Sequence, residues 1–191
     1  MSYFGYQNSE GLKLMKSIDD IINALNKKIL ILDGALGTMI QNEELKENDF
    51  RAERFNNHDV NLFGNNDILN LTKPGLIYDI HKLYLDAGAD IIETNTFNST
   101  GISQQDYECQ DLAYELNFQV GNLARKAVDD FLKNNPNENK FVAGVLGPTN
   151  RTCSMSPDVN DPGFRNINFD NLFSDYENCI RALIKAKVDI I

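Results

Sequence analysis

Ala87-Gly88-Ala89-Asp90-Ile91-Ile92 returns at the far end of the chain as Ala186-Lys187-Val188-Asp189-Ile190-Ile191. Each copy follows a stretch whose apolar residues step by three and four, as on one face of a helix. Each then turns within two residues into a β-branched apolar run. A helix, a tight turn and a short buried strand form a unit that cannot cover its own apolar face, so its repetition points to stacked units sharing a parallel sheet.

Strands are expected at 29–32 (Ile-Leu-Ile-Leu), 90–96, 141–146 (Phe-Val-Ala-Gly-Val-Leu) and 188–191, the first buried on both sides. Ser17-x-x-Asp20 reads as a capping box opening a helix whose face is Ile18, Ile21, Ile22 and Leu25, covering the bottom of a sheet or barrel. Pro74 starts a second helix with the stripe Leu76, Ile77, Ile80, Leu83, Tyr84 and Ala87. A third begins near Asp106, carrying Leu112, Leu116, Val120, Leu123, Ala127 and Phe131, and a fourth spans 170–186. Residues 42–71 show no sustained period and read as a functional loop or lid. His81 at the edge of a helical stripe and His58 in that loop are expected to be satisfied structural or solvated residues.

The turns before strands two and four are short, whereas the segments after strands one, two and three are long and polar. In a right-handed parallel array this gathers the elaborate loops on the carboxyl-terminal face, where such folds bind ligands. Asp33, Gly34, Gly37 and Thr38 end strand one, and Glu93, Thr94, Asn95 and Thr96 end strand two. Glycines there let backbone N–H groups approach a ligand, although a plain strand-to-helix turn accounts for the first cluster equally well.

The expected fold class is α/β, a partial (β/α)8 TIM barrel comprising about the first half, strands 1–4, with the long loops on one face. At 191 residues the chain is short of the roughly 250 of a full barrel, and it stops on a strand pattern. Residues 1–16 read as a flexible extension and 17–191 as an incomplete barrel domain. With 18 basic and 28 acidic side chains, the net charge of −10 argues against nucleic-acid or anionic-membrane partners. Cys109, Cys153 and Cys179 are widely spaced, without a metal or disulfide pattern; Cys109 and Cys179 are expected within helices. The first residues carry no apolar signal, so the cytoplasm is the expected location.

DGALGTMIQ (33–41), DFRAERF (49–55), GNNDILNLTKP (64–74), AGADIIETNTFNST (87–100), VAGVLGPTNRT (142–152) and SPDVNDPGFRNI (156–167) resemble, in order and spacing, the homocysteine-binding N-terminal module of cobalamin-dependent methionine synthases. The resemblance runs from about Ile29 to the last residue. It implies a methyltransferase of methionine biosynthesis, a barrel that binds homocysteine at a zinc held by three thiolates and passes it a methyl group from methylcobalamin, itself recharged from methyltetrahydrofolate on other modules. It implies substrate contacts from Asp33, Gly34, Ala35, Gly37 and Thr38, from Glu93, Asn95 and Thr96, and from Gly147, Thr149 and Asn150. An acidic side chain suits the substrate's ammonium and backbone N–H groups near Gly34 its carboxylate.

The family's zinc cysteines fall beyond Ile191, so no metal ligand, no catalytic residue and no bound zinc or cobalamin is expected in this chain, which should be inactive alone. The alternatives are a cobalamin-independent homocysteine S-methyltransferase with a sulfonium donor, and a non-catalytic half-barrel that self-associates through its open edge. Residue types alone also permit a hydrolase using the Asp33/Glu93 carboxylate pair.

Overall fold

The computed structural model describes residues 18–191. Ser17, and with it the expected capping box, lies outside the described residues. Elements run α1 (Ile18–Leu25), α2 (Leu36–Gln41), α3 (Glu47–Arg51), α4 (Leu69–Thr72), α5 (Pro74–Asp86), β1 (Ile91–Glu93), α6 (Gly101–Gln104), α7 (Ala113–Asn134), β2 (Phe141–Ala143) and α8 (Phe169–Lys185).

β1 and β2 pair in parallel, Ile92 opposite Val142. Leu32 makes a single parallel bridge to Ile91 on one side, and Ile190 makes one to Ala143 on the other. All four expected strands therefore lie side by side in chain order, but the outer two are reduced to one bridge each. Contrary to the expectation for residues 29–32, Ile29, Ile31 and Leu32 are exposed, not buried on both sides. Among the described residues nothing pairs with their outer edge.

Helices α5, α7 and α8 pack on this array. Two apolar clusters form, one around Ile77, Leu116 and Val120 beneath α2–α4, the other around Ile92, Val142, Leu183 and Val188. Gly121 lets α7 approach the α8 turn, since a Cβ there would stand 2.5 Å from that of Ala186.

The repeated hexapeptide does one job twice. Asp90 accepts the N–H of Ile31 at 3.1 Å and Asp189 that of Val142 at 2.9 Å, so each carboxylate ties its strand to the one before it. Each also neutralises a cation, Lys28 at 2.7 Å from Asp90 and the buried Arg125 at 2.8 Å from Asp189. Two positions before each aspartate the backbone takes a positive φ, Gly88 at 104° and Lys187 at 63°. Glycine adopts that conformation freely and lysine does so under strain.

Further expectations need correction. Of the expected α1 face Ile18, Ile22 and Leu25 are exposed and Ile21 is half-buried, so α1 does not cover the array with that face. Residues 42–71 are not a bare loop: they hold α3, α4 and a 3-10 turn at Asn66–Ile68, and bury Phe50, Leu62, Ile68 and Leu69. Elements of three to five residues are too short to print a helical period. The third helix starts at Ala113, because Glu108 at φ 53° breaks the chain between two 3-10 turns. Cys109 therefore sits at that break and not in a helix, while Cys179 is inside α8. The buried face of α5 is Ile77, Ile80, His81 and Leu85, with Leu83 exposed. His81 is thus fully buried with both ring nitrogens unpartnered, and burial pushes it down to about 4, so it is neutral and not satisfied.

Candidate functional site

Stave one, 29–33, ends where Asp33 N–H donates to Ile91 at 2.9 Å, and the chain turns through Gly34 and Ala35 (φ 22°, ψ 40°) into α2. This turn brings the Asp33 carboxyl over the end of β1, where it accepts the Glu93 N–H at 3.1 and 3.0 Å. Burial raises Asp33 to about 7; the Glu93 amide opposes the shift and the Glu93 charge adds to it.

Beyond β1 the ladder is replaced by hydroxyls. Thr94 Oγ1 accepts from the Val145 N–H at 2.9 Å, Thr96 Oγ1 donates to the Val145 carbonyl at 2.7 Å, and the two hydroxyls meet at 2.7 Å. Asn95 reaches the opposite way, donating to the Asn66 carbonyl at 2.8 Å and to Asn70 Oδ1 at 3.0 Å, while Asn70 returns a bond to the Asn95 carbonyl at 2.7 Å. Threonine and asparagine at a strand's end thus spend their polar groups satisfying backbone that the short strands leave open.

These elements enclose a cavity of about 340 Å³, lined by Asp33 to Gly37, Asn66 and Asp67, Glu93 to Asn95, Phe97, Asn98 and Val145. Among the described residues no lysine, arginine or histidine lines it, whereas three carboxyls do, Asp33, Asp67 and Glu93. Asp67 went unnoticed in the sequence. Its Oδ1 accepts from Asn98 N at 3.0 Å and Ser99 Oγ at 2.6 Å, fixing the lip formed by Phe97 and Asn98. Burial raises it to about 6 against the pull of those bonds. An aspartate three residues before Asn70 in an asparagine-rich stretch reads as a turn residue, and only its burial marks it out.

Of the eleven residues named from the sequence, the cavity wall takes Asp33, Gly34, Ala35, Gly37, Glu93 and Asn95. Thr38 is exposed on α2, and Thr96 is buried in the hydroxyl stitch. Gly147 is buried where a Cβ would meet the Phe97 carbonyl oxygen at 2.1 Å, so it braces the lip from behind. Tyr176 of α8 holds the same point, donating to the Gly147 carbonyl at 2.8 Å. Thr149 bonds the Arg151 carbonyl, and Asn150 bonds Asp106 beside a smaller cavity of about 150 Å³ that shares Asp67 and Asn98.

Among the described residues no three His, Cys, Asp or Glu are grouped to hold an ion. Cys109 and Cys179 are buried, and burial pushes both thiols up, Cys179 to about 12, away from the thiolate that a metal requires. His58 lies 3.8 Å from Cys109 Sγ but its Nε2 is 2.7 Å from the Tyr107 carbonyl, which makes that nitrogen the donor and leaves the thiol without a base. These residues do not fit the three-thiolate zinc that the resemblance implies. No helix among the described residues is long and apolar enough to cross a membrane.

A parallel strand-and-helix array with an acidic cavity at its carboxyl ends is an α/β fold of the kind that places its ligand sites on that face. Residues 30–191 match the profile of the homocysteine S-methyltransferases, and the chain belongs to that family. The metallated form of the homocysteine methyltransferase MmuM from Escherichia coli has the same fold, with a TM-score of 0.61 at 23% identity over 87% of this chain and 54% of that one. Its oxidized form gives 0.62 at 24% identity over 86% and 52%. The chain thus spans about half the length of the solved structures it matches.

Proposed function

We propose that this chain is the substrate-cradling half of a homocysteine S-methyltransferase barrel, of the methionine synthase kind, in which the methyl group reaches homocysteine from methylcobalamin recharged by methyltetrahydrofolate. The DFRAERF and SPDVNDPGFRNI stretches support that donor over a sulfonium compound. The observation that carries the reading is the Asp33 carboxyl, held by a backbone N–H at the end of its strand in a cavity that offers it no cation. A buried carboxyl in that setting gains most from a ligand that brings its own positive charge, as the ammonium of an amino acid does.

In this reading Asp33 takes the ammonium with Glu93 beside it, and the backbone around Gly34 to Gly37 meets the carboxylate. Asp67 and Gly147 keep the lip at Phe97 and Asn98 in place and Asn95 holds the wall at Asn66 and Asn70, so the thiol-bearing arm is led out of the cavity in one direction. Methyl transfer itself needs thiolate activation from groups that these residues do not supply, and the chain alone binds without turning over. A cytoplasmic setting accords with its three free cysteines.

Titration calorimetry of homocysteine against the 191-residue chain tests the reading. Asp33→Asn should weaken binding at pH 8 by at least about tenfold, as expected for loss of a charge-assisted bond, and leave the weak binding of the desamino thiol acid unchanged. Wild-type affinity should fall about tenfold per pH unit below about 7 as Asp33 takes up a proton. Equal affinity of wild type and variant for homocysteine would refute the assignment.

A further inference from the structure

We propose that Gln104 is a positioning residue of the ligand site, its side-chain amide clasping one wall of the cavity to the lip and so setting the size of ligand side chain that the cavity accepts. The inference rests on the amino-acid site proposed above. Gln104 ends α6 and is fully buried, and Asn65, 2% exposed, stands before the 3-10 turn that carries Asn66 and Asp67 into the cavity wall. The two side-chain amides bond each other reciprocally, Asn65 Nδ2 donating to Gln104 Oε1 at 2.8 Å and Gln104 Nε2 to Asn65 Oδ1 at 3.2 Å. Gln104 Nε2 spends its second proton on the Asn98 carbonyl at 3.0 Å, while Asp67 Oδ1 takes the N–H of the same residue. Asn98 is therefore held at both ends of its backbone by side chains from two other segments, and Phe97 is carried with it.

The clasp has one orientation. Turning the Gln104 amide over would set its NH2 against Asn65 Nδ2 and its oxygen against the Asn98 carbonyl. Its base is fixed as well: Asp175 of α8 accepts the Gly101 and Ile102 N–H groups at 2.8 and 2.7 Å, and Thr100 Oγ1 accepts the Ser103 N–H at 3.1 Å. A buried amide pair adds little net stability, because water satisfies the same groups in the unfolded chain. What this one contributes is position. Beside it lies the smaller cavity, whose wall also takes Asn65, Asp67 and Asn98. With the clasp released, Asn98 is free to move into that space and the main cavity gains room at its lip.

Hydrogen exchange reads the clasp without a ligand. Gln104→Met keeps the length of the side chain and removes all three bonds, and should speed exchange of the Asn98 and Ser99 amides at least about tenfold in the 191-residue chain, with the Val142 amide of β2 unchanged. The pair Asn65→Leu/Gln104→Met replaces both amides by apolar groups of similar shape, so neither is left unpaired; it should keep the wild-type urea midpoint and still show the loosened lip. By calorimetry both variants should bind homocysteine at least about tenfold more weakly, and methionine, one methyl group larger, less than about threefold more weakly. A purely structural defect would weaken both ligands alike. Lip amides that exchange as in wild type, or a preference between the two amino acids that does not move, overturn the proposal. A wild-type chain that binds neither amino acid refutes the site and with it the role of the clasp in selectivity, whereas a wild type that binds and variants that match it refute the clasp and leave the site standing.

Discussion

Replacing Asp33 by asparagine should stabilise the protein, and by an amount that depends on pH. The Asp33 carboxyl is raised from an ordinary 3.8 to about 7, chiefly by burial. Between those values the folded state holds a proton that the unfolded state has released, so stability falls as pH rises from about 4 to 7 and the whole penalty is present above 7. For a fully dry site a rise of this size corresponds to roughly 4 kcal/mol. The carboxyl borders an open cavity and water screens it, which reduces the expected figure to about 2 kcal/mol. Asparagine keeps an acceptor for the Glu93 N–H and removes the charge that faces the Glu93 carboxylate. Urea unfolding of wild type and Asp33→Asn at pH 4 and pH 8 measures the effect: the variant's advantage should grow by about 2 kcal/mol between them. A variant less stable than wild type at pH 8, or a difference that does not move with pH, would show that the carboxylate is not held against a desolvation cost. Together with the lost homocysteine binding, a stabilised variant would mark Asp33 as a group kept for its ligand at the expense of the fold.

The repeated turn and its aspartate give two more outcomes. Lys187→Gly relieves a left-handed lysine at φ 63° and should raise stability by up to about 1 kcal/mol in thermal unfolding, whereas Gly88→Ala at φ 104° should lower it by at least as much. Asp189→Ala leaves the Val142 N–H without its carboxylate and the buried Arg125 with only the half-exposed Asp129, and should cost about 3 kcal/mol in urea unfolding.

What could be read in the sequence was what local spacing encodes. The helix–turn–strand repeat gave the parallel order of four staves, Pro74 gave the start of α5, and the stripe through Leu116, Val120 and Ala127 gave the buried side of α7. The acidic and glycine residues at strand ends 33–37 and 93–95 were legible for the same reason, because an alternation of apolar run and polar burst places the burst at the strand's mouth. Everything that depended on contacts between distant segments was hidden. The segment 42–71, with its short helices, buries Phe50 and Leu62 in one cluster with Leu116 and Val120 of α7 without a period of its own. His81 is driven into the core by its neighbours on α5 and loses both hydrogen-bond partners.

Asp67 is the clearest case: its role comes from Asn98 and Ser99, some thirty positions on, and a residue whose partners lie that far away leaves no local pattern. The sequence by itself determined the unit, the family and the face that carries the cavity, because those are properties of near neighbours in the chain. Tertiary structure alone decided which carboxyls are desolvated and that, among the described residues, no cationic side chain lines the cavity beside them. Burial and electrostatics sum over residues brought together only by folding.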